Sequence, residues 1–190
     1  MISPVKYKQW TRSSNPDTIL GVYNPTNPWR IVDMRVYTPE DDQVFKNCLS
    51  EMIENPAIQK LKEIPQHKGS TTYAHCVNVA TTAYALAKKW HWDIDIRALV
   101  RGAMLHDYYL YDTETMPYSD YRHSLVHPKL AVANAEKLFD LNAKERNIIL
   151  SHMWPIPGAP LPRSKEAWLI CVADKECAQR EMYGKRRRRN

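Results

Sequence analysis

IRALVRGAMLHDYYL, residues 96–110, reads as one apolar helix opened by Asp93 or Asp95. His106 follows Ala103 by three positions and Leu99 by seven, so its side chain lies on the inward stripe of that helix. Asp107 sits about 100° further round, on the edge of the same stripe. A helix of this kind asks for helical neighbours, and the sequence supplies them on both sides.

Upstream, Ser70 caps a long helix that reaches about Trp90. Asn55-Pro56 restarts a shorter one through AIQKLKEI, and Thr38-Pro39 opens the first, running through VFKNCLSEMI. Downstream, a polar loop, DTETMPYSDYRHS, occupies 112–124, and His127-Pro128 opens a helix over KLAVANAEKLF. Asn142 and Glu145 have capping-box spacing ahead of ERNIILSHM. A proline-rich break from Trp154 to Pro162 precedes the last helix, SKEAWLICVADKECAQREM, residues 164–182. Strand-like alternation is nowhere sustained. The fold class is all-α: a compact helical domain over 38–183, with an irregular arm over 1–37 and a basic tail over 184–190. Within the arm, Trp29–Tyr37 reads as a short extended piece.

Composition agrees. Five glycines are too few for a turn-rich sandwich or barrel, and the thirteen prolines cluster outside the periodic segments, as stiff loops joining helices would have them. The 27 basic and 21 acidic residues leave a formal charge of +6, most of it carried by Lys185-Arg186-Arg187-Arg188-Arg189. The body is therefore near neutral, and any nucleic-acid partner is expected to meet only the tail. Cys48, Cys76, Cys171 and Cys177 form no C-x-x-C pair and read as reduced core thiols. There is no apolar leader and no membrane-length run, so a cytoplasmic protein is expected.

Nucleotide-cradling glycine motifs, G-x-S-x-G and H-E-x-x-H are all absent. The chemistry lies instead in histidine and aspartate. His75 shares a face with Val79 and Ala83; His152 lies four after Ile148; Asp174 lies four after Ile170. Each alone is most simply a hydrogen-bonded core residue, and His127, beside Pro128, reads on its own as a surface residue. Together they are harder to dismiss. Buried aspartate costs several kcal/mol unless a partner offsets it. Few basic residues share those faces, so the set calls for a cation. Imidazole and carboxylate together suit Fe or Mn, and less readily Zn, Co or Ni.

The order His75, His106-Asp107, Asp174 resembles the HD-domain superfamily of metal-dependent phosphohydrolases. AHCVNVATTAYALA, ALVRGAMLHD and VADKECA carry the resemblance, which spans roughly 70–180. It implies an HD-type helical bundle in which His75, His106, Asp107 and Asp174 hold one metal. His127 in HPKLAVANAEK and His152 in LSHMWP match the extra histidines of two-metal branches, where Asp107 would bridge both metals and a hydroxide. The implied activity is hydrolysis of a small phosphate ester, a phosphomonoester or phosphodiester, nucleotide-like esters included, by a metal-activated hydroxide. Arg122, His123 and Lys175 are the candidate substrate contacts, and Asp112 or Glu114 could transfer protons. HDYYLY has Leu110 and Tyr111 where nucleotide-hydrolysing branches carry an acid. Thr71, Leu110 and the lack of a GYP motif depart from the cyclic-dinucleotide branch. The same six ligands serve the mixed-valent di-iron oxygenases of the superfamily, which is the rival reading. A further alternative is a degenerate HD core that binds nucleic acid or a regulator through its tail.

Overall fold

A computed structural model describes residues 35–66, 70–111 and 119–183. The arm up to Met34, the tail 184–190, Asp112 and Glu114 lie outside them, as does most of the extended piece expected over Trp29–Tyr37. The described helices belong to the unit Tyr37–Asn190.

Among the described residues seven α-helices follow one another: α1 Pro39–Glu54, α2 Pro56–Gln59, α3 Thr72–Trp90, α4 Ile96–Leu105, α5 Asp120–Ala135, α6 Ala143–Ser151 and α7 Lys165–Tyr183. The described residues contain no strand, only an isolated antiparallel bridge between Pro65 and Thr71. Local chemistry sets most boundaries. Thr38 caps α1 in a capping box with Asp41, and Asn142 does the same for α6 with Glu145. Asp95 Oδ1 accepts from Ala98 N at the start of α4, and Ser164 Oγ from Ala167 N at the start of α7. His91, left-handed at φ 54°, stops α3, and Trp92 N–H reaches back to the Ala87 carbonyl at 3.0 Å.

Four expectations need correction. Thr71, not Ser70, caps α3, because its hydroxyl is the one that reaches Ala74 N. The second helix tightens after one turn into a 3-10 segment, Lys60–Lys62, instead of running to Ile64. α4 ends at Leu105, and residues 106–109 form a turn leading to Leu110 at φ 60°. α5 begins at Asp120, not at His127. Ser119 caps it, and Pro128 lies inside the helix.

α4 is the central element, packed against α1, α3, α5, α6 and α7. Ala98, Leu99, Val100, Ala103, Met104 and Leu105 are all buried, as expected of a helix covered on nearly every side. Its two arginines leave at one edge and are tied down: Arg97 pairs with Glu51, and Arg101 with buried Glu145 and the Asp140 carbonyl. The core continues through Ile58, Leu61, Val79, Ile148, Leu169 and Ile170. Truncating one such aliphatic side chain to Ala costs about 2–5 kcal/mol. All four cysteines are buried and free. No described helix is long and apolar enough to cross a membrane.

Candidate metal centre

The six residues singled out from the sequence meet at one place. His75 comes from the first turn of α3, His127 from the middle of α5 and Asp174 from the middle of α7. His106 and His152 occupy the residue just past α4 and α6, and Asp107 follows His106. The early end of α4 matters here. Successive residues of a continuous helix diverge by about 100°. In the turn that replaces it, the His106 and Asp107 side chains aim at a common point, with Nε2 and Oδ2 3.4 Å apart. The carboxyl ends of α4 and α6 thus both face the centre, and their dipoles favour positive charge there.

Two clusters share Asp107. Around Oδ2 lie His106 Nε2 at 3.4 Å and His75 Nε2 at 3.8 Å. Asp174 Oδ1 joins them, 3.1 Å from His75 Nε2 and 3.8 Å from His106 Nε2. Around Oδ1 lie His127 Nε2 at 3.3 Å and His152 Nε2 at 3.6 Å. All six residues are buried.

The imidazoles are oriented by their other nitrogen. Nδ1 of His106, His127 and His152 donates to the carbonyls of Ala103, His123 and Ile149, at 2.7, 2.9 and 2.8 Å. A carbonyl can only accept, so these Nδ1 atoms carry hydrogen, and a neutral ring then presents a bare lone pair at Nε2. His75 Nδ1 faces the Glu181 carboxylate at 3.2 Å.

Two observations fit a cation. His106 Nε2 is buried and, among the described residues, is the side-chain nitrogen or oxygen left without a hydrogen-bond partner. His127 Nε2 and His152 Nε2 stand 2.8 Å apart, where two bare lone pairs would repel. Either a proton on one ring or a metal ion between them is required. The candidate ligand atoms of His75, His106 and Asp174 lie within 4.8 Å of one another, as do those of His106, Asp107 and His152. Metal–nitrogen and metal–oxygen bonds of about 2.0–2.2 Å set their donors at about this spacing after slight contraction.

Charge is balanced within the cluster. Burial works to raise Asp107, but His106, His127 and His152 outweigh it and hold the carboxyl well below its usual range. Asp174 is likewise lowered to about 2, burial being overcome by its hydrogen bond to His75 and by His106 and His152. Burial alone would lower His75, yet Asp174 and Glu181 raise it well above the ordinary imidazole value. His127 is raised against burial by Asp107, and His152 is pushed down to about 3 by burial and by His127 and His106.

The candidate substrate contacts sit at the edge of this centre. His123 stacks on His127, ring centroids 4.7 Å apart, and is hydrogen bonded to Tyr111 at 3.0 Å. Lys175 Nζ donates to the His152 carbonyl at 2.9 Å and lies 4.0 Å from Asp174 Oδ2. Arg122 is exposed in the first turn of α5.

Two residues at the centre were not anticipated. Glu181 orients His75. Its only sequence signal is that it follows Asp174 by seven positions, on the same face of α7. Gln66, from the segment before α3, donates to Asp107 Oδ2 at 2.6 Å. It lies in an irregular stretch where no periodicity could flag it.

A family model described as the HD domain matches residues 72–179, more than half of the chain, and takes in all six residues of the cluster. No curated protein and no solved structure matches the chain.

Proposed function

This chain belongs to the HD domain family, and from that premise we propose that it is a metal-dependent phosphohydrolase with two divalent cations acting on a small phosphate ester. One observation carries the reading: the two carboxylate oxygens of Asp107 are divided between two groups of converging imidazole nitrogens. His75, His106, Asp107 and Asp174 would hold one cation, and Asp107, His127 and His152 the other. Iron or manganese suits the mixed nitrogen and oxygen donors best.

When bound, such ions supply Lewis acidity, lower the pKa of water toward neutrality and offset charge on a phosphoryl group. The chain's own residues do the rest. Backbone carbonyls and Glu181 fix the imidazole rings, so their Nε2 atoms need no reorientation when metal arrives. Asp107, ionised in its imidazole surroundings, is ready to bridge. His123, Arg122 and Lys175 would donate hydrogen bonds to phosphate oxygens beyond the reach of the cations. Asp112 and Glu114 remain candidates for proton transfer.

Metal analysis of protein purified without chelator tests the centre. Two equivalents per chain are expected, falling to one in His127→Ala or His152→Ala. A single equivalent untouched by those substitutions removes the second site. Activity is tested with 4-nitrophenyl phosphate and bis(4-nitrophenyl) phosphate on manganese- and iron-loaded protein. Release of 4-nitrophenol supports the hydrolase. Oxygen uptake by the anaerobically iron-loaded protein, with no phosphate ester cleaved, would identify a di-iron oxygenase instead.

A further inference from the structure

We infer that Gln66 is a positioning residue for the bridging carboxylate, locking Asp107 so that each of its oxygens faces its own metal position. The inference rests on the two-cation reading above and adds a residue to it.

Gln66 lies in a clamped segment. Gln66 N–H donates to the Ser70 carbonyl at 3.1 Å and Thr72 N–H to the Ile64 carbonyl at 2.9 Å. The segment closes on itself just before α3, and Gln66 is held over the centre. The amide orientation follows from its neighbours. An ionised carboxylate can only accept, so the atom 2.6 Å from Asp107 Oδ2 must be the amide nitrogen. Oε1 then accepts from Tyr109 Oη at 2.5 Å and Thr72 Oγ1 at 3.0 Å. Tyr109 is buried and stands two residues after Asp107, so the chain Asp107–Gln66–Tyr109 closes back on the turn that carries Asp107. Tyr109 also packs edge-on against His127, ring centroids 5.7 Å apart.

The consequence is geometric. A carboxylate that must serve two cations is useful only at one setting of its plane. The Gln66 donor takes one lone pair of Oδ2, leaves the other facing His75 and His106, and thereby fixes Oδ1 toward His127 and His152. Among the described hydrogen bonds, Oδ1 receives no amide or hydroxyl donor comparable to the one Gln66 gives Oδ2. Without Gln66 the plane can turn, and both metal positions degrade together. A residue touching only one cluster would weaken one position.

The test is titration of full-length, metal-free protein with Mn2+, followed by calorimetry and by electron paramagnetic resonance for spin coupling between two ions. Gln66→Ala is expected to weaken both binding steps about tenfold or more, the usual range for a lost hydrogen-bond partner of a ligand. It should also diminish the coupled signal. Tyr109→Phe, which removes only a hydroxyl, should shift both steps in the same direction by less, and serves if Gln66→Ala does not fold. Gln66→Asn, which keeps a donor on a shorter arm, should recover part of the loss. In an Asp107→Asn background, Gln66→Ala should cause no further loss. Wild-type affinity and coupling in Gln66→Ala overturn the inference, as does a drop in melting temperature with metal binding unchanged. Both leave the two-metal centre standing. If wild-type protein binds no Mn2+ or Fe2+ at all, the centre itself falls, and the role of Gln66 falls with it.

Discussion

Protonation at single side chains governs how the centre takes up metal. His75 lies between Asp174 and Glu181, and His127 faces Asp107 and His152; both imidazoles are raised above their ordinary range. A raised imidazole holds its proton to higher pH than a free one, and a proton on Nε2 occupies the nitrogen a metal must use. Metal binding should therefore release up to about two protons per chain near pH 7. Apparent Mn2+ affinity should rise as pH increases through the neutral range and flatten once both rings are neutral. Calorimetry in buffers of differing ionisation enthalpy measures the release; an affinity independent of pH between 6 and 9 would contradict it. Among the proposed ligands, His75, His106, His152 and Asp174 were legible in the sequence because each follows an apolar stripe at helical spacing, whereas His127 was picked out by the family resemblance. Glu181 and Gln66 were not, because their roles depend on contacts 106 and 41 residues away in the chain. Lys175 could be placed beside Asp174, but not its hydrogen bond to the His152 carbonyl, for the same reason.

At the scale of helices, the crossing of α4 and α6 places His106 beside His152, with rings 4.9 Å apart. Gly102 makes that crossing close: a Cβ there would lie 2.5 Å from Ile148 Cγ2 and 3.1 Å from its Cβ. Ile148 is fully buried and cannot swing away. Gly102→Ala gains helix propensity of about 1 kcal/mol, but overpacking of about 1–3 kcal/mol opposes it. A net destabilisation of up to about 2 kcal/mol is expected by denaturant melts. Weaker metal binding should accompany it, because the ends of both helices carry ligands. In an Ile148→Ala background, which removes the clashing Cγ2 and Cδ1, Gly102→Ala should cost much less in both respects; additive effects would show that the crossing is not the cause. Sequence patterns found α4 but extended it over His106-Asp107, since HDYYL is as apolar as a helix end. They also started α5 too late. A proline is at home in the first turn of a helix, so Pro128 read as a start, and the polar run DYRHS offered no stripe to outvote it. The real signal was the Ser119 cap, hidden in a loop-like composition.

Across the molecule, α1 and α2 bury core residues, including Phe45, Cys48, Met52 and Ile58, whereas the proposed ligands come from α3, α5 and α7 and from the ends of α4 and α6. Metal would therefore cross-link five elements that are otherwise joined by packing and by the cluster's own polar contacts, and its removal should register as a loss of global stability. Bound ions present at 100 to 1,000 times their dissociation constant contribute about 2.7–4.1 kcal/mol. A domain of this size shifts its melting temperature by about 2–4 °C per kcal/mol. Each ion lost to chelator should therefore lower the melting temperature by about 5–16 °C, and adding back Mn2+ or Fe2+ should restore it. The paired charges soften the effect without removing it. Imidazoles and hydrogen bonds around Asp107 and Asp174 favour their ionised form, so protein stripped of metal should still fold cooperatively. Asp107→Asn discriminates the two sources of stability. It should abolish the dependence on added metal, since both positions use that carboxylate, while melting close to chelated wild type. Equal melting temperatures for wild type with chelator and with metal would mean that the cluster's own ion pairs, not a cation, hold the five helices together. The basic run Lys185–Arg189 plays no part in this expectation. Truncation after Tyr183 should leave the metal-dependent shift intact, whatever acidic partner the tail itself attracts.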